Sequence, residues 1–138
     1  MDSNFKKKSE SNLIAANHLK GTQIKCYSAA VHCSYYSVVQ AILHILIHLK
    51  HRTMESLTTE SNKLNQGFHE TISKNIRKEY SETVNKEKAS AFFISVSELK
   101  GARANAEYED IDFNPTDANL VFGIAQNLIK ELKEVFKY

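Results

Sequence analysis

One proline and four glycines in 138 residues leave this chain few places to break a helix or make a tight turn. That excludes an architecture of many short strands joined by Gly- and Pro-rich turns, and it favours long helices. Cysteine is scarce as well. Cys26 and Cys33 would share one face of a helix but stand about 10 Å apart along its axis, too far for a disulfide. No strong charge of either sign is present: a net charge of +2 is too small to announce a nucleic-acid binder, so charge must be judged by location. The most apolar stretch, residues 38–49, is interrupted by Gln40, His44 and His48 and is too short to span a bilayer. The basic start, Phe5 to Lys8, leads into polar residues and not into the apolar run of a secretory signal. The expectation is a reduced, cytoplasmic protein with no membrane association.

What is present reads as one helical domain spanning residues 1–138. Hydrophobic residues at 42% and charged residues at 25% are enough for one packed core without staples. A first helix is expected over residues 9–20, stopped by Gly21 as a C-terminal cap. A second runs from about Thr22 to Lys50, where Tyr27, Val31, Tyr35 (or Ser34), Val38, Ile42, Ile45 and Leu49 recur at helical spacing. From Val38 onward the opposite side is apolar too, through Val39, Leu43, Leu46 and Ile47, so this should be the central helix.

Residues 52–65 are polar and rich in Thr, Ser and Asn, the pattern of an extended or mobile connection. Leu64, Phe68, Ile72, Ile76 and Tyr80 mark a third helix with Lys74, Arg77 and Lys78 outside. Glu70, Glu79 and Glu82 are interleaved with those cations, so a solvated mixed-charge face is the simpler reading there and for Lys6 to Lys8. After a turn over residues 81–85, a fourth helix covers residues 86–108. A loop over residues 110–116 then carries helix-start chemistry: Asn114 or Thr116 as cap, Pro115 in the first turn and Asp117 at the positive end of the dipole. Val121, Ile124, Leu128, Leu132 and Val135 line the last helix. Gly123 within it suggests close helix packing, since Gly there costs about 1 kcal/mol against Ala. With one apolar face per segment, an all-α, antiparallel four- to five-helix up-and-down bundle is the economical solution.

The most informative stretch is Arg103 to Tyr108. Arg103 continues the stripe of Phe92, Val96 and Leu99, which turns a permanent charge toward the packed side of a helix. Glu107, four residues on, offers an ordinary intrahelical ion pair. Tyr108 lies roughly 140° around the helix from Arg103, so the two could act together only if the helix ends between them or a second subunit supplies one.

The run from His32 to Leu43 with its Tyr35-Tyr36 pair, and Leu99, Arg103, Ala106 and Tyr108 in a Leu-x-x-x-Arg-x-x-Ala-x-Tyr pattern, resemble the HEPN domain family. An acidic loop and a final apolar helix, Glu109 to Phe136, follow in the order that family shows. The resemblance implies a helical bundle of four or five helices that associates with nucleotides or RNA. It also implies, for many members, a metal-independent RNase in which an Arg is followed four to six residues later by a His. No Arg here has such a His; the slot holds Tyr108, a poor proton acceptor at neutral pH. A polar residue commonly follows that Arg, and here Ala104 stands in its place. The resemblance is to the branch whose genes often neighbour small nucleotidyltransferases.

Arg103, Glu107, Tyr108, Tyr35 and Tyr36 are therefore the expected residues of a ligand-binding or dimer cleft, with Arg103 and Tyr108 as catalytic candidates. His44 and His48 are spaced to reach one zinc ion but lack nearby carboxylates, so no metal and no cofactor are expected. Cys33 has no adjacent base and reads as an inert thiol. The leading expectation is a non-catalytic nucleotide- or RNA-binding or assembly module, a homodimer with a possible nucleotidyltransferase partner. An RNase of a toxin–antitoxin pair, using Arg103 with Tyr108 or a distant His such as His69, is the second. A plain protein-interaction bundle is the third.

Overall fold

A computed structural model describes residues 3–20, 26–108 and 114–138, which form six α-helices and no strand. These are α1 (Asn4–Lys20), α2 (Tyr27–His44), α3 (Met54–Lys63), α4 (Phe68–Thr83), α5 (Lys86–Tyr108) and α6 (Pro115–Phe136), with a π-helical turn, Ile45–Leu49, continuing α2. The expected Gly21 cap and the residues from Glu109 to Phe113 lie outside the described residues.

Helix α2 sits at the centre because it has no polar side from Val38 onward. Val38, Val39, Ala41, Ile42, Leu43, Ile45 and Leu46 are all buried, and they meet Ile72, Ile76 and Tyr80 of α4, Phe92, Val96 and Leu99 of α5, and Val121, Leu128 and Leu132 of α6. Helix α1 lies along α2 through small residues: Ala16 and Ala30 are fully buried, and the Ser9 hydroxyl donates to the Ser37 carbonyl at 2.7 Å. Counted from Tyr27 to Leu49, this helix is long and apolar enough to cross a membrane by length and composition, unlike the shorter run visible in sequence. Within its most apolar 18-residue window, 72% of the residues are buried inside the fold, so neighbouring helices already cover the apolar surface.

The polar connection expected over residues 52–65 is instead helix α3, which raises the count to six. Its start is a reciprocal capping box: the Ser56 amide donates to the Thr53 hydroxyl at 3.0 Å, and the Thr53 amide donates to the Ser56 hydroxyl at 3.2 Å. Leu57, fully buried, anchors the helix to the core, and burying one such side chain is worth about 1.5–3 kcal/mol. Arg52 ties this end to α4, reaching Asn75 at 2.5 Å. One buried Leu on an otherwise polar segment gave no periodic stripe to read.

Helices α4 and α5 form an antiparallel hairpin, with Arg77 of α4 donating to Ser90 of α5 at 3.0 Å. Asn114 caps α6 by accepting from the Asp117 amide at 2.9 Å, with Pro115 in the first turn. The close approach expected at Gly123 is not found: a Cβ placed there would meet nothing within 4 Å.

Candidate functional site

Three helices bring a polar and aromatic cluster together at one end of the α4–α5 hairpin. Helix α2 contributes His32, Tyr35 and Tyr36, which share a face at i, i+3 and i+4. Helix α5 contributes Arg103 and Glu107, and the first turn of α4 contributes His69.

Arg103 lies on the packed side of α5, its side chain only 15% exposed. A guanidinium so placed needs compensation, and it has two kinds. Its Nη1 donates to Glu107 Oε2 at 2.9 Å, and its Cζ lies 5.2 Å from the ring centroid of Tyr35 and 6.0 Å from that of Tyr36. Those rings offer their electron-rich faces to the cation. Arg103 Nε is buried without a hydrogen bond among the described residues.

Glu107 is engaged twice. Its second oxygen meets His32 Nδ1 at 2.5 Å, so one carboxylate bridges α5 to α2. Partial burial pushes the Glu107 carboxyl up, but the hydrogen bond from His32 and the charge of Arg103 outweigh it and leave the pKa below its ordinary value.

The two tyrosines meet edge to face at 5.3 Å, and His32 packs on Tyr36 with centroids 4.5 Å apart. Burial pushes the Tyr35 phenol up to about 12, against the pull of Arg103 and with a push from Tyr36. Its hydroxyl lies 2.9 Å from His69 Nδ1. Burial, then the charges of Arg103 and Lys100, lower the His69 pKa. With the phenol protonated and the imidazole neutral, this bond runs from the phenol to Nδ1 in one tautomer and from Nδ1–H to the phenol oxygen in the other.

The outcome for chemistry is specific. Both carboxylate oxygens of Glu107 are engaged within the cluster, as is Nδ1 of His69, so the outward nitrogens of the two histidines are the ones left open. Still open are Arg103 Nη2 as a donor and the outward nitrogen of His32, which carries a free lone pair when the neutral ring donates through Nδ1 to Glu107; His32 is 47% exposed.

Of the expected residues, Arg103, Glu107, Tyr35 and Tyr36 are brought together. Tyr108 is not: its side chain is 77% exposed and makes no hydrogen bond or ring contact among the described residues. His32 and His69 join the cluster, and sequence reasoning had assigned His32 no role. Its position on the Tyr35–Tyr36 face of α2 was the available signal.

His44 and His48 lie at the other end of α2. Their rings stack at 5.7 Å, and His44 Nδ1 pairs with the Ser3 hydroxyl at 2.6 Å. No group of three His, Cys, Asp or Glu side chains able to hold a metal occurs among the described residues. Burial raises the Cys33 thiol pKa, which keeps it protonated and weakly nucleophilic near neutral pH.

No protein-family model matches the chain, and no curated protein or solved structure matches it.

Proposed function

We propose that this chain is a non-catalytic, HEPN-like bundle that binds a nucleotide or RNA through the Arg103 cluster. The observation that carries the reading is the bridging Glu107, whose two oxygens are both occupied, by Arg103 at 2.9 Å and His32 at 2.5 Å. A carboxylate committed to both Arg103 and His32 serves this site as a structural bridge between α5 and α2. The remaining Arg103 donor and the half-buried ring of Tyr36 suit a phosphate and a stacked base.

In this reading the protein works in the cytoplasm as a homodimer, alone or beside a small nucleotidyltransferase. Ile94 and Tyr108 are exposed and stand two heptads apart on one outward face of α5, with exposed Gly101 midway between them. That face supports association with a second copy and leaves Arg103 on the inner side.

Fluorescence anisotropy with a short labelled single-stranded RNA, and with a labelled adenine nucleotide, tests the reading. Saturable binding that Tyr36→Ala and Arg103→Ala both weaken is expected. Binding unchanged in both variants, with the far-ultraviolet circular dichroism spectrum of the wild type retained, would sink it. In that case a plain interaction bundle is the better description.

A second reading, metal-independent RNA cleavage, is favoured by one observation: a neutral His69 stands in the same cluster as Arg103. Incubation with total RNA in EDTA decides. Cleavage lost in both Arg103→Ala and His69→Ala would replace the first reading by the second.

A further inference from the structure

The opposite end of the α4–α5 hairpin carries an open groove of about 510 Å³ with an unusual charge inventory. Lys74, Arg77, Lys78 and Lys86 line it together with the hydroxyls of Ser81 and Ser90, over a floor that includes buried Ala89. No Asp or Glu is among its lining residues. By sequence the cations are interleaved with Glu70, Glu79 and Glu82; in the fold two of these pair with lysines, and exposed Glu82 makes no ion pair among the described residues. Glu79 turns to Lys50 at 3.2 Å, and Glu70 pairs with Lys74 at 3.1 Å. Arg77, Lys78 and Lys86 are left without a carboxylate partner among the described residues.

Arg77 is also held in place. Its Nη2 donates to Ser90 Oγ at 3.0 Å, and its Cζ lies 4.9 Å from the ring centroid of Phe93. One edge of the guanidinium is thereby pinned and stacked, so less side-chain freedom remains to be lost on binding. Because Ser90 Oγ accepts from Arg77, its own hydroxyl hydrogen is free to donate. The helix dipoles do not decide the matter: α4 ends at Thr83 and α5 begins at Lys86, so a negative and a positive terminus lie side by side and offset. The side chains set the sign.

We propose that this groove binds a phosphate group, as an ester or an anhydride, with Arg77 as the oriented fork and Lys78 and Lys86 as flanking charges. A guanidinium matches two oxygens of such a group at once, and ammonium and hydroxyl donors satisfy the rest. The site shares no residue with the Arg103 cluster and stands independently of the function proposed there.

Amide chemical-shift titration of the full chain with inorganic pyrophosphate, and separately with ATP, is the test. Saturable shifts over residues 74–81 and 86–90 with both probes are expected, weakening as salt is added. Arg77→Gln should reduce pyrophosphate affinity roughly tenfold, as loss of a charge-assisted hydrogen bond predicts. Arg77→Lys should fall between the variant and the wild type. Shifts that never saturate, or wild-type affinity in both Arg77→Gln and the Lys78→Gln/Lys86→Gln double variant, would overturn the proposal. Pyrophosphate binding in the groove, with no ATP-induced shift near Tyr36, would count against nucleotide binding at the Arg103 cluster while leaving the groove intact.

Discussion

Arg103 rests its guanidinium on the ring of Tyr35, 5.2 Å from the ring centroid, and so locks the C-terminal half of α5 to the middle of α2. The contact explains how a permanent charge can sit on a stripe shared with Phe92, Val96 and Leu99, all buried. Arg103→Ala should lower stability by about 1–3 kcal/mol, from the lost cation–π contact and charge-assisted hydrogen bond. Arg103→Lys keeps the charge but not the planar stack, so it should fall between. Urea unfolding at neutral pH measures both. An alanine variant as stable as the wild type would mean the cluster does not hold these helices together.

Glu107 gives the cluster an acid dependence with a definite sign. Its folded-state pKa lies below the ordinary 4.5, because the His32 bond and Arg103 overcome the upward push of burial. Its stabilisation is therefore complete above about pH 4.5 and is lost as pH falls through the lowered folded value. Glu107→Gln should be less stable at neutral pH and show a shallower loss on acidification. Parallel acid slopes in the two proteins would count against the bridge.

His69 adds a dependence in a higher window. A histidine whose folded pKa is lowered from 6.5 binds its proton more weakly folded than unfolded. Stability is then complete above pH 6.5 and declines as pH falls from there toward the folded value. His69→Gln should flatten that part of the stability–pH curve, with the urea midpoint as readout. The His69 ring proton resonance should titrate below 6.5 in the wild type. A titration above that value would mean that the folded cluster favours the charged ring, and the predicted loss of stability below pH 6.5 would not occur.

The inward direction of Arg103 and its pairing with Glu107 were legible in the sequence because both depend on spacing within one helix. His69 was named only as a distant histidine that could act with Arg103, and His32 was given no role, since both contacts arise where α2, α4 and α5 converge and single-helix periodicity carries no record of that. Helix α3 was hidden for a different reason. Only Leu57 and Ser61 of that segment are buried, so its helicity rests on the Thr53–Ser56 cap and on Arg52 reaching Asn75, neither of which leaves a repeat. The basic face of α4 was visible as composition, but its glutamates looked like local partners. That Glu79 leaves for Lys50 depends on where the π-helical turn places Lys50.

Gly123 tests packing from the opposite direction. A glycine inside a long helix costs backbone entropy, which a close helix approach could justify, yet nothing lies within 4 Å of a Cβ at this position. Its neighbours in the stripe, Val121 and Ala125, are buried, whereas Gly123 itself is only half-buried on the flank of α6. Alanine should therefore fit without displacement and raise stability by about 0.5–1 kcal/mol through helix propensity and a less mobile unfolded chain. Thermal or urea unfolding of Gly123→Ala at low protein concentration reads this directly. A fall in stability would show that another surface presses on this flank of α6. A fall that grows with protein concentration would identify that surface as a second copy of the chain.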